Sequence, residues 1–453
     1  MKQRNNRIKT AMLAILLALC VAGCGAEKTG ADADGNSLAV GLESSATSSE
    51  DVSGKEDASA QDKEAGGTGD ETTSSKTDEK DAQKPEEKAE EKPEEKPEEK
   101  PVYDVGITLK EVFEQHQMKV GTCLSDYMIR DKKCTEFIKA NFNSITFENH
   151  LKPDAILDQK ESKKAGDLVV KFSSTTEKLL AWCKENNMAM RGHTLVWHSQ
   201  TPTWIFYENF DPSKALVSRE VMLQRMESYI SQVFSLLEEK GYLELFYAYD
   251  IVNEAWMEDG TKRDSLWLKT IGDDYLWQAF YLADKYAPEY IDLYYNDYNE
   301  QFKTDTLYEF VQTLVDEEGN YLIDGIGFQA HLYTEDSLED YFATMDKIAS
   351  LGIKVNLTEL DVCLGSWPEI KPATEENLQA QGQYYYNLIS GILQRVDEGK
   401  VHMDALTFWG FNDSLSWRRE RNPLLLNAKY EPKYAYYGAL QIKENAGFAE
   451  SKQ

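Results

Sequence analysis

From residue 120 onward the chain alternates between two hydrophobic patterns. Short, nearly continuous apolar runs rich in β-branched and aromatic residues cover 120–124, 144–148, 188–197, 246–253, 291–295, 325–332, 354–362 and 405–411. Between them lie stretches whose apolar residues recur at spacings of three and four. Examples are 220–240 (Met222, Met226, Ile230, Val233, Phe234, Leu237) and 377–396 (Leu388, Ile389, Ile392, Leu393, Val396). The first pattern predicts strands and the second helices. Strands that are apolar throughout, rather than every second residue, belong to parallel sheets covered by helices. Eight such strand–helix units in about 340 residues match the size and count of an α/β protein of the (β/α)8 TIM-barrel type.

A barrel of this kind carries its chemistry where strands end and the following loops begin. Polar residues should therefore gather at the C-terminal ends of the apolar runs. Glu148-Asn149 closes the second run, Trp197-His198 the third, Asn253-Glu254 the fourth and Asn296-Asp297 the fifth. Gln329 and His331 close the sixth, Glu359 and Asp361 the seventh, and Trp409 the eighth. A doubly wound sheet would instead show a glycine-rich phosphate loop after its first strand, and neither GxGxxG nor GxxxxGK[ST] occurs.

The first hundred residues follow other rules. Lys2, Arg4, Arg7 and Lys9 precede an apolar run from Ala11 to Ala22, too short to span a bilayer and suited to a signal peptide. Val21-Ala22-Gly23-Cys24 resembles a bacterial lipobox, which implies cleavage before Cys24, a lipid on its thiol, and a cell-surface protein anchored to the membrane. Residues 25–104 carry 24 acidic and 10 basic side chains and one aromatic, Tyr103. Such a segment cannot bury enough apolar surface to offset the entropy of ordering it. Its last part repeats Glu-Glu-Lys-Pro, which reads as a stiff, extended spacer. The expected organisation is a signal over 1–23, a lipidated linker over 24–104, a catalytic barrel over 105–445 and a tail over 446–453.

The net charge of −30 would repel a phosphate backbone and excludes nucleic acid as a partner. In the barrel region Cys123, Cys134, Cys183 and Cys363 show no CxxC spacing, so buried free thiols are expected, with neither a zinc site nor a disulfide framework. No metal or cofactor is expected.

Two glutamates stand out chemically, Glu254 in Asp250-Ile-Val-Asn-Glu254 and Glu359 in Asn356-Leu-Thr-Glu-Leu-Asp361. Each follows an apolar strand and would face the barrel mouth. Glycoside hydrolysis needs one carboxyl to protonate the departing oxygen and one carboxylate to meet the oxocarbenium-like centre. Strands four and seven, on opposite sides of the ring, could straddle a sugar with such a pair. His331 and Asp361 can hold Glu359 ionised through a hydrogen-bonded chain that favours the charged form, and Asn253 is placed to bond the 2-hydroxyl at the cleavage site.

Seven segments in order carry a resemblance. Glu148-Asn-His-Leu-Lys-Pro153, Arg191-Gly-His-Thr-Leu-Val-Trp-His-Ser-Gln200, Asp250-Ile-Val-Asn-Glu254, Tyr295-Asn-Asp-Tyr-Asn299, Gly327-Phe-Gln-Ala-His331, Thr358-Glu-Leu-Asp361 and Phe408-Trp-Gly-Phe-Asn-Asp-Ser-Leu-Ser-Trp417 are similar to the signatures of glycoside hydrolase family 10 endo-β-1,4-xylanases. The resemblance spans about 105 to 445. It implies a retaining (β/α)8 barrel acting on xylan and xylo-oligosaccharides, with Glu254 as acid/base and Glu359 as nucleophile. It also implies a saccharide cleft with aromatic plates from Trp197, Trp409, Trp417 and Tyr298. Polar contacts would come from Glu148, Asn149, Lys152, His193, His198, Gln200 and Gln329. Trp182, Trp256, Trp267 and Trp277 match no motif and are expected in core or rim. His150-Leu151 and Tyr249 depart from the family pattern, and His150 could alter binding of a distal sugar. A monomer is expected. Two alternatives are a β-1,4-glucanase on the same barrel and a surface glycan-binding lipoprotein without catalysis. Crowding by Gln200, Trp409 and Trp417 where a glucose hydroxymethyl would sit speaks against the first, and retention of both glutamates and His331 against the second.

Overall fold

The computed structural model describes residues 102–448. The signal, Cys24 and the linker up to residue 101 lie outside the described residues, as does 449–453. Ten strands run in chain order: β1 (Lys119–Leu124), β2 (Ser144–Phe147), β3 (Ala189–Gly192), β4 (Val196–Trp197), β5 (Phe246–Asn253), β6 (Asp292–Asp297), β7 (Gly325–Phe328), β8 (His331–Tyr333), β9 (Lys354–Cys363) and β10 (Ala405–Phe408). Eight of them pair side by side in the order β10-β1-β2-β3-β5-β6-β7-β9, and a β9–β10 ladder closes the ring. Every ladder is parallel. The fold is a (β/α)8 barrel.

The remaining two strands are continuations rather than staves. The predicted run 188–197 breaks after Gly192, and its second piece, β4, pairs further along β5. The run 325–332 breaks after Phe328, and β8 resumes against β9. Between β7 and β8 the backbone turns through Ala330 at φ +58°, so that Gln329 and His331 can both reach the mouth of the barrel. The sequence shows these as single apolar runs because a local break in the ladder leaves the hydrophobic pattern intact.

Outside the ring, helices cover the strands as their periodicity predicts. Arg219–Glu239 is capped by Ser218, whose side chain accepts from the Val221 amide, and it buries Met222, Met226, Tyr229, Ile230, Val233, Phe234 and Leu237. Glu375–Asp397 is capped in the same way by Thr374 and buries Leu388, Ile389, Ile392 and Leu393. Such a cap satisfies an amide that the helix itself leaves unpaired and contributes about 1 kcal/mol. Each large apolar side chain on the buried faces contributes about 1.5–3 kcal/mol. Tyr103 packs edge-on against Phe137, and near the other end Phe448 packs against Tyr386, so both ends of the described chain dock on the barrel.

The interior of the ring is polar in layers. Arg191 forms a bidentate ion pair with Asp250 and lies over the Tyr294 ring. Tyr294 in turn accepts from Asn356 Nδ2 at 2.9 Å. Lys354 joins Asp292 and Asp404 near the strand N-termini. Each of these buried charges has a partner, as a low-dielectric interior requires. Cys123, Cys134, Cys183 and Cys363 are buried free thiols. Trp267 is fully buried, and Trp182, Trp256 and Trp277 pack partly buried against the core.

Gly327 on β7 is required by space rather than by torsion. A Cβ there would lie 2.4 Å from Asn296 Oδ1 and 2.8 Å from Arg191 Nη2 and Thr358 Cγ2. Gly327→Ala is therefore expected to destabilise the protein by about 1–3 kcal/mol, read from the urea midpoint. It should also lower activity by displacing Asn296; unchanged stability would show that the interior can absorb the methyl group.

Candidate active site

At the C-terminal end of the ring the loops enclose a cleft of about 870 Å³. Glu254 and Glu359 both line it, the first just past the end of β5 and the second within β9. They are joined through side-chain amides. Asn296 Nδ2 donates to Glu359 Oε1 at 2.7 Å and to Asn253 Oδ1 at 2.9 Å. Asn253 Nδ2 and Gln329 Nε2 donate to Glu254 Oε1 at 3.2 and 3.0 Å, and Trp197 Nε1 donates to Glu254 Oε2 at 3.0 Å. Thr358 Oγ1 donates to Asn296 Oδ1 at 2.6 Å, which fixes the orientation of that carboxamide.

The opposite side of Glu359 faces His331, whose Nε2 stands 3.5 Å from Glu359 Oε2. His331 Nδ1 stands 3.1 Å from Asp361 Oδ2 as an ion pair without hydrogen-bond alignment. Asp361 also accepts from Arg418 Nη1 at 2.7 Å and from Trp417 Nε1 at 3.2 Å. Burial works against charge on both Glu359 and His331, but their mutual attraction and the neighbouring charges outweigh it. With His331, His193 and Lys152 around it, Glu359 is held down at about 2. Asp361 and Glu359 hold His331 up at about 9. The imidazolium and the carboxylate are thus a charged pair at neutral pH.

Glu254 adopts φ +54°, a left-handed conformation that costs a non-glycine residue of order 1–2 kcal/mol. Its amide donates to the Asn296 carbonyl at 2.9 Å, and its own carbonyl accepts from Arg263 Nε at 3.0 Å. The strain turns the side chain out of the sheet pattern and under Trp197 and Gln329.

Along the walls, Lys152 donates to Gln200 Oε1 at 2.8 Å and to Asn149 Oδ1 at 3.2 Å, and it lies over the Trp197 ring. Glu148 accepts from Ser125. His193 contacts Asp250 at 2.9 Å and stands edge-on to Trp409. Tyr298 accepts from Arg263 Nη2 at 2.8 Å. Trp417 is 62% exposed and leans on His331 at 5.1 Å.

The structure brings Glu148, Asn149, Lys152, His193, Trp197, Gln200, Asn253, Glu254, Tyr298, Gln329, His331, Glu359, Trp409 and Trp417 into one cleft. Three expectations need correction. His198 is not among the lining residues; it packs edge-on against Trp197 at 5.8 Å beside Arg263 and Glu254, and burial holds it below its ordinary value. His150 lies against Phe147 and does not line the cleft either. Asp361 is fully buried behind His331, and the hydrogen-bonded chain expected from Asp361 through His331 to Glu359 is instead a run of ion-pair contacts at 3.1 and 3.5 Å. Residues to which the sequence assigned no role include Asn296, Thr358 and Arg263, which bond the two glutamates or their partners, and Arg418, Tyr333, Phe302 and Trp367, which line the cleft. Asn296 could have been suspected from its strand-end position, and Thr358 from its place directly before Glu359. Arg418 and Arg263 lie on loops and had no such signal. Among the described residues, no group of three or more His, Cys, Asp and Glu side chains is arranged to hold a metal ion.

The model of glycosyl hydrolase family 10 matches residues 108–442. The chain belongs to this family. Among its relatives, the bifunctional endo-1,4-β-xylanase XylA of Ruminococcus flavefaciens is 38% identical over 339 residues, covering 73% of this chain and 33% of the relative. Endo-1,4-β-xylanase B of Butyrivibrio fibrisolvens is 34% identical over 348 residues, covering 74% and 53%. The chain thus spans about a third to a half of the length of these curated relatives. A solved intracellular xylanase of Thermoanaerobacterium saccharolyticum, in complex with xylotetraose, superposes with a TM-score of 0.65 at 30% identity, covering 74% of this chain and 98% of that one.

The family 10 site has a pH signature in stability. His331 is raised from 6.5 to about 9, so its contribution is complete below pH 6.5 and is lost as pH rises through about 9. Glu359 is lowered from 4.5 to about 2, so its contribution is complete above pH 4.5 and is lost as pH falls through about 2. The stability advantage of the wild type over His331→Gln, measured by urea unfolding at stepped pH, should therefore shrink from pH 6.5 to 9. A constant difference would show that His331 is neutral in the folded protein.

Proposed function

We propose that this family 10 protein is an endo-β-1,4-xylanase, acting as a monomer that cleaves internal bonds of xylan with retention of configuration. The observation that carries the reading is the pair of carboxyls joined through Asn253, Asn296 and Gln329 on the floor of an aromatic-walled cleft. The names of the curated relatives and the xylotetraose bound in the solved homologue support the substrate class.

In this reading Glu359 attacks the anomeric carbon while Glu254 gives its proton to the departing glycosidic oxygen. The carbon–oxygen bond to the leaving chain breaks and an ester to Glu359 forms. A water then enters, Glu254 takes its proton, and attack at the same carbon releases Glu359 as a carboxylate. His331 and Asn296 favour the anion of Glu359 before attack and after release. Asn253 and Gln329 orient Glu254, and Asn253 is available to a 2-hydroxyl once sugar is bound. Trp409 and Trp417 offer faces to sugar rings. Gln200 is held by Lys152 and Asn149 and lines the same cleft as these tryptophans, a crowding that supports xylose over glucose; rates on carboxymethylcellulose equal to those on xylan would favour the glucanase instead.

Substitution separates the two carboxyls. Glu359→Ala should be inactive on every substrate, a loss of at least about 10⁴-fold. Glu254→Ala should still attack aryl glycosides whose leaving group needs no proton, and azide should partly restore its turnover. Proton NMR of fresh product should show the β-anomer first; an α-anomer appearing first would exchange the role of Glu359 from nucleophile to base.

We propose further that the protein is an exported lipoprotein with Cys24 acylated and the acidic segment holding the catalytic body away from the membrane. The lipobox-like Val21-Ala22-Gly23-Cys24 supports this. Cys24→Ser should move the protein from the membrane fraction to the soluble one in its producing cell, and a variant that stays with membranes would refute anchoring by this thiol.

A further inference from the structure

Beneath the loop that carries Glu254 lies a set of buried ionisable groups that takes no part in the chemistry described above. Tyr295 and Asp297 sit two residues apart on β6, and Lys303 follows in the next turn; none is more than 2% exposed and none lines the cleft. Lys303 Nζ donates to Asp297 Oδ1 at 2.7 Å, and the Tyr298 amide donates to the same oxygen at 2.9 Å. Tyr295 donates its hydroxyl to Asp297 Oδ2.

The Tyr295 oxygen is also an acceptor, twice. The amides of Ala255 and Trp256, the two residues directly after Glu254, donate to it at 2.9 and 3.2 Å. A phenol oxygen has two acceptor sites and one proton. Both acceptor sites are taken by backbone, so the proton must go to Asp297, and Asp297 must remain an acceptor. Lys303 supplies the positive charge that favours this state. The direction of every bond in the set is therefore determined: the Ala255 and Trp256 amides donate to the phenol, and the phenol and Lys303 both donate to the carboxylate.

We propose that Tyr295 and Asp297 are positioning residues that hold Glu254 in the geometry from which it transfers its proton. This rests on the acid/base reading of Glu254. The left-handed turn at Glu254 persists only if its surroundings over-determine it. On one side Asn296 and Arg263 bind its own amide and carbonyl; on the other, Tyr295 ties down the next two amides. A core filled by apolar groups would avoid the desolvation of three polar side chains at this point, and only a polar group can hold two free amides.

The test uses the leaving-group dependence of the first chemical step. Tyr295→Phe removes one oxygen and keeps the ring against Phe310; Asp297→Asn is the second variant. For each, kcat/KM is measured on phenyl and on dinitrophenyl β-xylobioside. The expected result is a fall of about 10- to 100-fold on the phenyl substrate, whose leaving group needs the proton. On the dinitrophenyl substrate the fall should be no more than about threefold. Equal losses on both substrates would reduce the set to a structural role and overturn the proposal, as would no loss on either. Glu254→Ala is the control. If it lacks the leaving-group signature, the acid/base reading itself fails; if it shows the signature and the two variants do not, the positioning role alone is wrong. Should neither variant fold, amide exchange on the unaltered protein decides: the Ala255 and Trp256 amides, which belong to no ladder, should be protected, and rapid exchange at both would overturn the proposal.

Discussion

The carboxamide of Asn296 is the joint on which the site depends. One NH2 group serves Asn253 and Glu359 at once, and one carbonyl oxygen accepts from Thr358. Three staves, β5, β6 and β9, thereby meet at a single side chain. The geometry is possible because β7, between β6 and β9, carries Gly327 at the level where a methyl group would collide with that carboxamide. Barrel closure, a missing Cβ and a satisfied amide are one constraint seen at three scales. With both hydrogens of the amide engaged, it cannot rotate without leaving a buried group unpaired, which costs about 1–3 kcal/mol.

Charge inside the ring is arranged as a series of local pairs. Arg191 and His193 meet Asp250, Arg418 and His331 meet Asp361, and Lys303 meets Asp297. Each of these carboxylates is held by dedicated partners and is unavailable for reaction. Glu359 differs. His331 reaches it only at 3.5 Å while also serving Asp361, and Lys152 stands across the cleft with its hydrogen bonds directed to Gln200 and Asn149. Glu359 is therefore ionised by the surrounding positive potential without being locked in a short ion pair. In the proposed mechanism this leaves it free to form a bond to carbon.

The two carboxyls are supported by different means. Glu359 lies within a ten-residue strand and takes its position from the sheet. Glu254 has left its strand in a left-handed turn, and hydrogen bonds to its backbone neighbours set its position. In the proposed mechanism the proton donor is thus held by hydrogen bonds at a turn and the nucleophile by the sheet.

The barrel was legible in the sequence because each strand and helix is encoded locally, by apolar runs and by three- and four-residue spacing. Polar residues toward the C-terminal ends of the apolar runs, such as Asn253, Glu254, Gln329, His331 and Glu359, were legible for the same reason, since a barrel exposes the C-terminal end of every stave. The breaks after Gly192 and Phe328 were not, because the hydrophobic pattern continues across them. Nor was the displacement of His198 behind Trp197, which depends on how the loop after β4 packs against Arg263. Asn296 lay at a strand end in plain view, yet its role as the link between the two carboxyls required knowing that β6 stands between β5 and β7, with β9 beyond. Local pattern determined which residues form strands and which end them. Only closure of the ring brought together side chains more than a hundred residues apart in sequence, because hydrogen bonding between carboxyl and carboxamide acts over about 3 Å and carries no trace along the chain.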